Sequence, residues 1–78
     1  MSDKLPLLSA KELLKILEKL GFRAIRQKGS HIYMKHNDGR ATVIPMHPGN
    51  DLGRGLLRQI INEIDMPRGD FVRLAKKK

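Results

Sequence analysis

Asp38-Gly39 separates two runs of alternating, β-rich residues, 31–36 and 41–45, and this dipeptide constrains the fold more than any other feature. Asp-Gly tolerates the positive φ that a two-residue hairpin loop demands. Taken as that loop, it pairs His36 with Ala41, Lys35 with Thr42, Met34 with Val43 and Tyr33 with Ile44. Side-chain alternation then places Ile32, Met34, Ala41 and Val43 on a core face, and His31, Tyr33, Lys35 and Thr42 on the opposite, open face.

The flanking segments supply what such a hairpin packs against. Residues 22–27 read as a further strand, joined to the hairpin through Lys28-Gly29-Ser30. A two- or three-residue turn there inverts the faces of that strand, so its register stays open. Upstream, Ser9-Ala10-Lys11-Glu12 is a capping box with Leu8 and Leu13 at the staple positions. Ala10, Leu13, Leu14, Leu17 and Leu20 recur at helical spacing, which predicts a helix over 10–20. Gly21 is its expected left-handed terminator, with Phe22 folding back on Leu17. Downstream, Pro45 ends the third strand because it has no N–H for a ladder. A Gly, Pro, Asn and Asp-rich loop covers 46–55. Leu56, Leu57, Ile60, Ile61 and Ile64 then mark a second helix. Pro67 suits a first helical turn, and Phe71 with Leu74 suggest a short third helix.

The order is α-β-β-β-α plus a C-terminal helix. Helices on one face of a three-stranded antiparallel sheet make a two-layer α+β domain, the arrangement of double-stranded-RNA-binding domains. The chain is expected to form a single domain over 1–78, with its core at 8–74 and a basic tail at 75–78.

Sixteen Lys and Arg stand against eight Asp and Glu, a net charge of +8 and a pI near 10.3. Such an excess favours polyanions through phosphate contacts and counterion release, although an acidic protein or membrane surface would also attract it. With no cysteine, disulfides and thiolate metal sites are excluded. The N-terminus does not resemble a signal peptide, and no apolar run approaches the roughly 18 residues of a membrane span. The expectation is a soluble, cytoplasmic protein without membrane contact.

Within this frame Gly29-Ser30-His31 is the candidate catalytic element. Histidine is the side chain whose ordinary pKa, about 6.5, lets it give and take protons near neutrality. His31 opens the second strand on the open face, with Arg26, Lys28 and Lys35 nearby. Gly29 permits close backbone approach, and the Ser30 hydroxyl could hold a phosphate. A plainer reading makes Gly29-Ser30 a turn and His31 an ordinary exposed strand residue. His47 lies beyond the third strand, near His31 across the hairpin, as a second acid or base, a phosphate contact or a simple loop histidine. Arg54 and Arg58 at the start of the second helix could bind phosphate or merely form a solvated face. One tyrosine and no tryptophan argue against an aromatic platform of the single-strand-binding kind, although Tyr33 alone could stack a base or pack against Ile44. His36 has the opposite face parity, which makes it structural and argues against a three-histidine metal site. Asp38 and Asp51 most economically serve turns.

Taken in order, several motifs resemble the HicA family of small toxins, also described as YcfA-like proteins. They are Arg26-Gln27-Lys28, Gly29-Ser30-His31-Ile32-Tyr33, Val43-Ile44-Pro45-Met46-His47, Gly55-Leu56-Leu57-Arg58-Gln59-Ile60-Ile61 and Met66-Pro67-Arg68-Gly69-Asp70-Phe71. The resemblance covers about residues 8–74. It implies a ribonuclease toxin that cleaves mRNA, with His31 catalytic, and that is neutralised by a HicB-type antitoxin; because a positioned base and acid suffice to cleave RNA, neither metal nor cofactor is expected. It leaves open a homo-oligomer or a hetero-oligomer with that antitoxin. Two positions depart from the family pattern: Ile32 stands where many relatives carry a second histidine, and Gly55-Leu56-Leu57 where many have Gly-Thr-Leu, whose hydroxyl suits a helix cap or phosphate contact. The rival reading, from a different class, is a noncatalytic RNA-binding module using the same basic sheet face. A basic scaffold for an acidic protein is a third.

Overall fold

The capping box forms as its residues dictate. Ser9 Oγ accepts from the Glu12 N–H at 3.1 Å, and Glu12 Oε1 accepts from the Ser9 N–H at 3.0 Å. In this computed structural model, which describes residues 7–46 and 52–77, helix α1 (Ala10–Lys19) follows and buries Ala10, Leu13, Ile16 and Leu17. Leu14 and Leu20, expected on its core stripe, are half-buried. The helix ends in a Schellman closure. Gly21 N–H donates to the Glu18 carbonyl and Phe22 N–H to the Leu17 carbonyl, which folds the buried Phe22 back on the helix.

Three antiparallel strands follow in sheet order: β1 (Arg23–Lys28), β2 (His31–Lys35) and β3 (Ala41–Pro45). The β2–β3 hairpin closes differently from the expectation. His36 N–H donates to the Arg40 carbonyl at 2.8 Å and Gly39 N–H to the His36 carbonyl at 3.0 Å, with Gly39 at φ 99. The loop is therefore three residues, Asn37-Asp38-Gly39, a turn that ends in a left-handed glycine bulge. Every β3 residue moves one place. Lys35 pairs with Ala41, Met34 with Thr42, Tyr33 with Val43, Ile32 with Ile44 and His31 with Pro45.

This slip inverts β3 and leaves β2 as expected. Thr42 and Ile44 face the core, 4% and 0% exposed, while Ala41 and Val43 join Tyr33 and Lys35 on the open face. Two interactions favour the inverted arrangement. The bulkier Ile44 enters the core in place of Val43, and the Thr42 hydroxyl donates to Glu63 Oε1 at 2.6 Å, so its burial leaves no polar group unpaired.

The open register of β1 is settled by a two-residue Gly29-Ser30 loop. Lys28 pairs with His31, Gln27 with Ile32 and Arg26 with Tyr33, while a bulge between Ala24 and Arg26 leaves Ile25 out of the ladder and 57% exposed.

Helix α2 (Arg54–Glu63) buries Leu57, Ile60 and Ile61, with Ile64 as its buried C-cap. Its N-cap is Gly53, so Leu56 lies inside the first turn, half-buried, and does not hold the capping position. Helix α3 (Arg68–Lys77) is as long as α1 and α2. It continues through most of the segment anticipated as a basic tail, with Ala75 as well as Phe71 in the core. Pro67 precedes α3 and accepts from the Phe71 N–H at 3.1 Å.

Arg40 fastens the hairpin turn to the helical layer. Its Nη1 donates to the Ile64 carbonyl at 2.5 Å and its Nε to Asp38 Oδ2 at 2.8 Å, and its guanidinium lies 5.2 Å from the Phe22 ring centroid. The C-terminal ends of α1 and α2 thus both meet the sheet at the β2–β3 turn. At their other ends Leu52 N–H donates to the Leu8 carbonyl at 2.7 Å, which joins the segments that lead into the two helices.

Candidate nucleic-acid interface

The settled registers bring most of the anticipated residues onto one surface. Directly paired residues share a face in an antiparallel ladder, so Lys28, His31 and Pro45 form one row across the open face. Arg26, Tyr33 and Val43 form the next, and Arg23, Lys35 and Ala41 the last. β1 therefore lines the face with three cations, β2 contributes the imidazole, the phenol and a fourth cation, and β3 adds a small apolar border. None of the three strands carries an acidic residue. Cationic side chains left without carboxylate partners favour a polyanion over water and small counterions.

Gly29 and Ser30 form the loop beside His31, with Gly29 in the left-handed region at φ 60, as the first place of a two-residue loop demands. Space around Gly29 is open, since a Cβ built there meets nothing within 4 Å. The Ser30 carbonyl accepts from the Met46 N–H at 2.6 Å, which clamps the loop to the end of β3. His31 is exposed at the start of β2. Pro45 fixes its neighbour on one side, and the hairpin ladder places Lys28 on the other. The guanidinium of Arg26 stands 5.8 Å from the Tyr33 ring centroid, within cation–π range. Tyr33 thus borders Arg26 and Val43, where the unshifted register had put it opposite Ile44.

Arg54 and Arg58 do not join this face. They are exposed on α2 in the helical layer behind the sheet. His47 and Asp51 lie outside the described residues. His36 is structural: its ring packs edge-on against Phe22 with centroids 5.1 Å apart, and its Nδ1 accepts from the Asp38 N–H at 3.1 Å. Asp38 serves the turn. The Arg40 N–H and guanidinium both donate to it, and these bonds with the nearby positive charge hold its carboxyl below the ordinary 3.8. Arg23, absent from the sequence-based site, closes the cationic row and donates to Asn37 Oδ1 at 3.1 Å. Its face could not be read while the β1 register was open, and the Ile25 bulge gives no clear sequence signal.

The row Lys28–His31–Pro45 offers one proton-transfer group beside a cation on a face whose strands carry no carboxylate. Among the described residues no three His, Cys, Asp or Glu side chains gather as a metal site, and no helix is long and apolar enough to cross a membrane.

No curated protein matches the chain. The family model described as HicA toxin of bacterial toxin-antitoxin matches residues 10–66, a span that runs from the first residue of α1, through the whole sheet and α2, to the turn before α3. The chain therefore belongs to the HicA toxin family and is a toxin of a bacterial toxin–antitoxin system, whose partner is an antitoxin.

Proposed function

We propose that this toxin is an endoribonuclease that binds mRNA on the open sheet face and cleaves it in the cytoplasm, with His31 as the catalytic residue. The observation that carries the reading is the row in which His31, exposed, stands directly beside Lys28 on a face with no strand carboxylate. Cleavage of RNA can proceed without a metal. The 2′-oxygen attacks the adjacent phosphorus, its proton leaves to a base, and the P–O5′ bond breaks as an acid protonates the departing oxygen. His31 takes one of those two proton-transfer roles. Lys28 and Arg26 neutralise the charge that builds on the phosphorane oxygens. Gly29 lets the backbone approach the phosphate, with the Ser30 hydroxyl as a contact, and Lys35 holds the strand further along β2. His47 supplies a further phosphate contact, while Arg54 and Arg58, exposed on α2 in the layer behind the sheet, take no part in this face. A HicB-type antitoxin neutralises the toxin by covering the His31 face.

The test is purified wild type and His31→Ala against RNA with chelator present, with binding and cleavage scored separately. Cleavage by the wild type alone, with binding by both, supports the proposal. Binding without cleavage by either protein would make the chain a noncatalytic RNA-binding module, and equal cleavage by both would place the chemistry on another group.

A further inference from the structure

Tyr33 occupies a place that neither the packing of the core nor phosphate binding explains. The chain has three aromatic side chains of the Phe, Tyr and Trp class, and Phe22 and Phe71 are both in the core. Tyr33 is therefore the one such ring outside the core, half-buried, and it stands in the middle row of the cationic face, with Arg26 at 5.8 Å from its centroid. It lies on β2 two residues from His31, on the same face. Two strand residues advance about 6.6–6.8 Å, the scale of one nucleotide in an extended single strand.

We infer that Tyr33, flanked by Arg26, is the stacking platform for a nucleobase flanking the scissile phosphate, and that the substrate is unpaired RNA. The inference rests on the ribonuclease reading above and adds the strand path and substrate form. With a phosphate at His31 and Lys28, the neighbouring nucleotide reaches the Tyr33 row with its base on the ring, and the phosphate two nucleotides from the first approaches Lys35 and Arg23. The three cations of β1 run beside this path and follow the backbone, while the ring takes the base. A base inside a duplex is already stacked between its neighbours and has no face to offer, so the platform discriminates against paired RNA. The fold resembles that of duplex-binding domains, but those read backbone and shape, whereas a lone ring in a cationic row suits a splayed-out base.

The decisive experiment measures affinity for a short fluorescein-labelled single-stranded RNA, with an abasic residue placed in turn on either side of the cleavage site. All proteins carry His31→Ala so that the RNA stays intact, and they are compared alone, with Tyr33→Phe and with Tyr33→Thr. Threonine keeps strand propensity, and comparing two RNAs on one protein cancels any loss of folded material. Removing one flanking base should weaken binding roughly 5- to 150-fold in the His31→Ala parent and in Tyr33→Phe, and should have no effect in Tyr33→Thr. Annealing the complementary strand should erase the difference between Tyr33→Phe and Tyr33→Thr. An equal abasic penalty in Tyr33→Thr and the parent would overturn the stacking platform, while cleavage by the wild type would leave the ribonuclease reading standing. If the wild type neither binds nor cleaves RNA, both readings fall together.

Discussion

Replacing Gly21 with alanine tests how the end of α1 is joined to the hairpin. Gly21 has φ 100, and a Cβ built on it would stand 2.9 Å from His36 Nε2 and 3.2 Å from His36 Cδ2. Two costs follow. An L-residue in the left-handed region loses about 1–2 kcal/mol. The methyl must also displace the imidazole, which is edge-on to Phe22 and accepts the Asp38 N–H. Loss of an aromatic pair contributes about 0.5–1.5 kcal/mol. The ring belongs to a half-buried side chain that can swing away, so the steric part should not exceed those lost contacts. Gly21→Ala should therefore destabilise by about 1.5–3.5 kcal/mol, measured by urea unfolding followed by circular dichroism. His36→Ala removes the obstructing ring, so in a double-mutant cycle the second substitution should cost less in the Gly21→Ala background, with a coupling of about 0.5–1.5 kcal/mol. Strictly additive costs would refute the clash, and a Gly21→Ala cost below about 0.5 kcal/mol would refute the strain as well.

Other consequences are equally direct. Arg40→Ala removes the bonds to the Ile64 carbonyl and Asp38 and the contact with Phe22, and should cost about 2–3 kcal/mol in urea unfolding, with lysine restoring less than half because it lacks the guanidinium fork. The slipped hairpin predicts that Ile44→Ala costs about 2–4 kcal/mol and Val43→Ala less than about 1 kcal/mol by the same assay, and the reverse order would restore the two-residue loop. Asp38 has its carboxyl lowered first by the Arg40 backbone N–H, then by the Arg40 side-chain bond and the charges of Arg40 and His36. A lowered folded value means that its stabilisation is complete above the ordinary 3.8 and is lost as pH falls through the folded value. Thermal melting points from pH 5 downward should accordingly fall less steeply in Asp38→Asn than in wild type.

What could be read from the residues alone depended on whether a local signal had one meaning. The Ser9–Glu12 capping box and the Gly21-Phe22 terminator each admit one geometry, and both form as expected. Asn37-Asp38-Gly39 admits two, since Asp-Gly fits a two-residue loop and Asn-Asp-Gly fits a turn with a glycine bulge. Burial of Ile44, the Thr42–Glu63 bond and the anchoring of Arg40 on α2 favour the second, and these are tertiary contacts that no local window contains. The face of His31 survived that slip because it follows from alternation within β2, where Met34 is buried. The Ile25 bulge lay beyond sequence reasoning, because an apolar residue in a strand pattern signals burial and here it is expelled to solvent.

The proposed ribonuclease activity stands most directly on the proton-transfer role of His31. Single-turnover cleavage of a defined unpaired RNA, with chelator present, should slow about 100- to 10,000-fold in His31→Ala while affinity for the RNA changes little. The wild-type products should end in a 2′,3′-cyclic phosphate and a 5′-hydroxyl. Cleavage at the wild-type rate by His31→Ala, or wild-type products ending in a 5′-phosphate, would contradict it.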